Sequence, residues 1–159
     1  MKKHLFALLM ILLPPALLAT PPGILRLEAR APMDQTYKAV YAALEEARFG
    51  VVFEADLGSN LATFAERWGE DLNRSALGGF RSIVVCNAWS ANQVSNADPD
   101  LLALCPLRVN LVEKDDVTRV LFARPTVTAA GSPGIAVVEE VEREIEAALR
   151  AGVAAAEGE

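Results

Sequence analysis

The chain is almost without histidine: its only one, His4, lies in the first nineteen residues. There Lys2 and Lys3 precede an apolar run over residues 5–13, followed by Pro14-Pro15 and Ala16-Leu17-Leu18-Ala19. That is the pattern of a secretory signal peptide. The run is about half of the roughly 20 apolar residues a membrane span needs, and two prolines break it. No stable membrane insertion is therefore expected once the leader, residues 1–19, is cleaved near Ala19. The exported chain, periplasmic or secreted, would then hold no histidine. Imidazole is the usual general acid–base near neutral pH and a frequent ligand for zinc, copper and haem. Histidine-based catalysis and histidine-held metal are excluded.

An excess of positive charge is also missing. Lys and Arg number 15 against 21 Asp and Glu, a formal charge of −6, and losing Lys2 and Lys3 with the leader makes the chain more acidic. A nucleic-acid binder carries a basic face, so no nucleic-acid partner is expected. Nor is there an internal repeat, a low-complexity block or a linker rich in glycine and serine. Roughly 140 residues of half-apolar composition suit one domain with a core of its own. Its expected extent is residues 20–151, with residues 152–159 a disordered tail.

What is present reads as alternating strands and helices. Residues 24–29 suggest an opening strand. Residues 33–48 place Tyr37, Val40, Tyr41, Leu44 and Ala47 at helical spacing, and Gly50 suits a left-handed helix end. A strand over 51–55 follows, then a helix capped by Ser59 with Leu61, Phe64, Ala65, Trp68 and Leu72 as its buried stripe. Residues 80–86 form an apolar strand, and a short helix covers 90–95. Two apolar runs, 107–112 and 117–123, flank Glu113-Lys114-Asp115-Asp116 as a β-hairpin. Ser132-Pro133 opens a last helix burying Ile135, Val138, Val141, Ile145 and Leu149, with Glu139–Arg143 and Glu146–Arg150 pairs on another face. The order is β-α-β-α-β-α-β-β-α. It predicts a compact two-layer α+β domain, mainly antiparallel, with helices packed on the sheet.

The second half of the chain resembles a known family. Val84-Val85-Cys86-Asn87 ends an apolar strand in cysteine before a small helix; Asp98-Pro99 and Cys105-Pro106 come next, and the hairpin closes on Arg124-Pro125. Upstream, residues 43–53 with a glycine between helix and strand also fit. This pattern, over about residues 37–126, is similar to that of the domain of unknown function 302. Asn110-Leu111-Val112-Glu113 lacks the aromatic commonly found there before the acidic residue. The resemblance implies a compact α+β domain, a homodimer, and no established activity.

Cys86 and Cys105 carry whatever chemistry the chain has. In an oxidising compartment a structural disulfide is the leading expectation, worth about 3 kcal/mol for a loop of about 20 residues. Geometry opposes it: were the strands parallel about a crossover, the two cysteines would sit at opposite ends. Two buried free thiols are one alternative. A functional pair is the other, as a soft site for an ion such as Cu(I), or as a redox or sulfur-carrying thiol. The spacing is neither CxxC nor that of a zinc site, and a metal would need help from Met33 or carboxylates. No resident cofactor is otherwise expected.

Asn87, Trp89, Pro106 and Arg108 form the candidate pocket beside the cysteines, with Ser90, Asn92 and Gln93 as further donors. Core packing is the plainer role for Trp89. Gly78-Gly79 leads into a strand and so is no phosphate loop, and the serines lack a histidine partner. Asp115-Asp116 and Glu139-Glu140 with Glu142 read as solvated surface, and no catalytic residue stands out. Two function classes follow. The first is a non-catalytic exported domain that binds a small ligand or a periplasmic protein partner. The second is a thiol-dependent redox, sulfur-carrier or soft-metal protein built on Cys86 and Cys105.

Overall fold

Alternating apolar and polar side chains build five strands: β1 Ile24–Ala29, β2 Gly50–Asp56, β3 Gly79–Cys86, β4 Leu107–Lys114 and β5 Val117–Ala123. In this computed structural model, which describes residues 21–158, they form one antiparallel sheet in the order β1-β5-β4-β3-β2. The expected leader lies outside the described residues. No helix among the described residues is long and apolar enough to cross a membrane.

Two long helices, α1 Met33–Glu46 and α6 Ile135–Gly158, cover one face of the sheet. Ile83, Val85, Val109, Leu111, Val120 and Phe122 point from the strands into the same fully buried cluster as Val40 and Leu44 of α1 and Ile145 and Leu149 of α6. The fold is thus the two-layer α+β domain expected. The hairpin closes on Asp115 and Asp116, both at positive φ (53° and 58°), the conformation a two-residue type I′ turn requires.

Four local expectations need correction. First, the left-handed residue that closes off α1 is Arg48 and not Gly50. Arg48 takes the left-handed conformation at φ 65°, its N–H donates to Glu45 O at 2.9 Å, and that of Phe49 donates to Leu44 O at 2.9 Å. This is a Schellman end, with Phe49 and Leu44 in one buried cluster. Gly50 opens β2, which bulges between Val51 and Phe53 and leaves Val52 and Phe53 exposed on the sheet edge.

Second, residues 59–72 do not form one buried helix. They divide into α2 Leu57–Ala62, α3 Ala65–Trp68 and a 3-10 turn, Gly69–Asp71. Asp56, not Ser59, is the cap, accepting from the Ser59 N–H at 2.9 Å. Leu61, Phe64 and Trp68 remain about 40% exposed. α1 and α6 already occupy the inner face of the sheet, so the stripe has no place in that core; Phe64 and Trp68 stack on each other at 4.7 Å.

Third, of the expected tail over residues 152–159, residues 152–158 are helical, because α6 continues to Gly158. Ala148, Gly152 and Ala156 recur every four residues as its small buried face. There α1 comes so close that a Cβ on Gly152 would lie 2.7 Å from Val40 Cα. The Gln35 side-chain amide donates to Ala156 O at 2.8 Å, and the Arg30 N–H to Glu157 at 2.9 Å.

Fourth, Glu142 is not solvated surface. It is buried on α6, where it receives the Arg124 guanidinium at 2.6 Å and the Thr126 hydroxyl at 2.6 Å. Arg124 also reaches Glu146 at 3.0 Å, so the end of β5 and the short helix α5 Pro125–Thr128 are fastened to α6. Glu146 pairs with Arg150 as expected, whereas Arg143 pairs with Glu140 and not Glu139.

Candidate functional site

The register between β3 and β4 sets the site. Val85 faces Leu107 in an antiparallel ladder, so the chain leaves β3 at Cys86 where it returns to β4 through Cys105-Pro106. The Cys105–Pro106 bond is cis. The geometric objection to a cysteine pair assumed a parallel crossover, and it falls: the two Sγ atoms are 3.5 Å apart, as free thiols in contact. Both residues are half-buried.

Between the cysteines the chain makes α4 Ala88–Ala97 and a 3-10 segment, Pro99–Leu104. Each start is capped by its own side chain. Asn87 accepts from the Ser90 N–H at 3.1 Å, and Asp98 from the Asp100 N–H at 3.1 Å. The second carboxylate oxygen of Asp98 takes the Ser132 hydroxyl at 2.6 Å, and Ser132 Oγ in turn accepts from the Gly134 N–H at 3.0 Å. Gly134 lies so close to Leu101 that a Cβ there would meet its Cδ1 at 2.7 Å. The connecting segment is thereby held on the start of α6.

Beneath it lies a narrow slot of about 40 Å³, walled by Phe49, Val94, Leu101, Leu104 and Val138 and bordered by both cysteines. Burial, and then the hydrogen bond and charge of Cys86, push the Cys105 thiol up to about 11. Cys105 therefore keeps its proton through the neutral range.

A wider groove of about 490 Å³ adjoins the slot, since Asn87, Ser90 and Val141 line both. Trp89, 70% exposed, lines it together with Arg48, Gln93, Glu140 and Glu144. The core-packing role for Trp89 is thus overturned: as the second residue of α4, just after the strand end, it projects outward. Of the expected pocket set, Asn87 and Trp89 meet here; Pro106 and Arg108 are exposed on the β4 side and line neither hollow. Arg48 and Glu144, which sequence reasoning passed over, do line it. Spacing could not have found them, because the α1 terminus and α6 meet α4 only through the fold.

Metal chemistry finds few donors. Among the described residues no three of His, Cys, Asp and Glu cluster to hold an ion. Met33 packs near Gly79, at the far end of β3 from Cys86, and cannot assist the cysteines. A soft ion would have two sulfurs alone.

The comparisons agree on the fold. A crystal structure of an uncharacterized conserved protein DUF302 from Bacillus stearothermophilus superposes with a TM-score of 0.70 at 16% identity, covering 82% of this chain and 98% of that one. Among curated proteins nothing matches the chain. The family described as "Domain of unknown function DUF302" matches residues 25–152, which reaches from β1 into the last turns of α6, and the chain belongs to that family.

Proposed function

We propose that this is an exported thiol–disulfide protein in which Cys86 and Cys105 interconvert between a dithiol and a disulfide. The observation that carries the reading is the 3.5 Å contact between the two Sγ atoms. A disulfide needs about 2.05 Å between sulfurs, so the two have to approach by about a further 1.5 Å to bond. Half-burial supports exchange over a sealed structural bridge, because a partner has to reach a sulfur for exchange to occur.

The slot alone does not support the small-ligand reading: its volume of about 40 Å³ is far below the roughly 300–1,000 Å³ of an ordinary ligand pocket. The same proposal takes the mature protein as a periplasmic or secreted homodimer with its leader removed near Ala19. Light scattering measures the dimer, and intact mass measures the cleavage.

The test of the thiol reading is reduction of the isolated protein under native conditions. Alkylation followed by intact mass should pass from no labels to two as the thiol buffer is made more reducing, with circular dichroism unchanged. A bridge that resists reduction until the protein unfolds would make it purely structural. Two labels in material taken straight from the oxidising compartment would sink the exchange reading.

A further inference from the structure

The groove beside the slot has the size and chemistry of a site for a partner to those cysteines. Its volume of about 490 Å³ falls within the range of about 300–1,000 Å³ typical of small-molecule sites. It shares Asn87, Ser90 and Val141 with the slot, whose lining includes both cysteines, so an occupant lying in it sits beside the cysteine end of β3. Its walls carry both signs of charge. Among the described residues Arg48 and Glu144 form no ion pair, and Glu140 is partnered only by Arg143. Trp89 offers an exposed indole face, and Asn87 and Gln93 offer amides.

A guanidinium and a carboxylate facing one cleft complement a molecule bearing one carboxylate and one ammonium group. An exposed indole adds apolar contact at little entropic cost. We infer that the groove of Arg48, Trp89 and Glu144 binds a low-molecular-mass zwitterionic thiol or its disulfide, presenting its sulfur to Cys86. This rests on the exchange reading of the cysteines.

The chemistry is ordinary exchange. Cys86 sulfur attacks one sulfur of the incoming disulfide RSSR; the RS–SR bond breaks, RS⁻ leaves and takes up the proton that Cys86 gave, and a Cys86–S–SR mixed disulfide remains. Cys105, in contact with Cys86, then attacks Cys86 sulfur and expels the second RSH. In sum one dithiol and one RSSR become one protein disulfide and two RSH. Cys86 suits the first step because it directly precedes Asn87, the residue shared by slot and groove.

The probes are cystine, each half of which carries one carboxylate and one ammonium group, and 2-hydroxyethyl disulfide, which is neutral. The rate of disulfide formation in the reduced protein is followed by quenched alkylation and intact mass. The two probes differ in leaving-thiol acidity, so the readout is how a substitution changes their rate ratio. Trp89→Ala and Arg48→Gln should each lower the ratio of the cystine rate to the neutral-disulfide rate by about tenfold, the equivalent of about 1.4 kcal/mol of lost binding. Both residues are exposed, so the variants fold. An unchanged ratio in both variants overturns the groove assignment while leaving the cysteines reactive. Failure of both probes to oxidise the wild-type pair overturns the exchange reading itself.

Discussion

Replacing Gly152 by alanine tests the packing of the helical layer at its tightest point. A Cβ there would stand 2.7 Å from Val40 Cα, 3.1 Å from Ala39 O and 3.1 Å from Val40 N. All three are backbone atoms, so no side chain can rotate away and α1 and α6 have to separate. Overpacking of this kind costs about 1–3 kcal/mol, and rigid backbone neighbours argue for the top of that range. Alanine in a helix interior returns about 1 kcal/mol over glycine. The balance is a loss of about 2 kcal/mol, which for a domain of this size lowers Tm by about 6–8 °C. Thermal and urea denaturation followed by circular dichroism read it directly. Gly158→Ala is the control, since nothing lies within 4 Å of that position, and it should leave Tm unchanged or slightly raised. If Gly152→Ala matches that control, the helices do not meet through the glycine and the argument is refuted.

Other perturbations have equally definite outcomes. Ending the chain at Ala151 removes Ala156 from the core and the bonds from Gln35 and Arg30; Tm should fall clearly in a melting experiment, whereas a true tail would leave it unmoved. Burial works to raise the Glu142 carboxyl, but the Thr126 hydroxyl, the Arg124 guanidinium and the Thr126 N–H outweigh it and hold it below the usual carboxylate range. A folded-state value below the unfolded one gives stability that is present above the unfolded range and lost as pH falls through the folded value. Glu142→Gln should thus lower stability by about 2 kcal/mol at neutral pH, and the gap to wild type should narrow in acid; a constant gap from pH 7 to pH 3 would contradict the network. Phe64→Ser and Trp68→Ser should each change stability by about 0.5 kcal/mol or less, while Phe122→Ala should cost about 3–5 kcal/mol, both read from urea midpoints.

The contrast between those last sites shows what periodicity does and does not reveal. Helical spacing at Val40 and Leu44, and at Ile145 and Leu149, marks the buried faces of α1 and α6 because the sheet they cover has room for two helices. Leu61, Phe64 and Trp68 have the same spacing without a surface to cover, and spacing alone cannot say how many helices a sheet accepts. From sequence Gly50 suits a helix end and residue 152 the start of a tail; in the fold Gly50 starts a strand and Gly152 allows a close crossing. The glycine at the helix end was a reasonable signal, but Arg48 does that work. At the site, Cys86, Cys105, Asn87 and Trp89 were legible because they cluster along the chain near strand ends. Whether the cysteines touch depended on the relative direction of β3 and β4, and Arg48 and Glu144 come from elements far away in sequence.

β1 is the first strand among the described residues, yet its sole neighbour there in the sheet is β5, with Ile24 opposite Ala123. Its hydrogen bonds therefore wait until nearly the whole domain has been synthesised, and closing so long a loop before any contact rewards it slows folding. For a chain proposed to cross a membrane, that delay is useful. While β5 and α6 are still missing, the N-terminal part has neither its sheet partner nor its second covering helix, and it stays open enough to be threaded before it can fold.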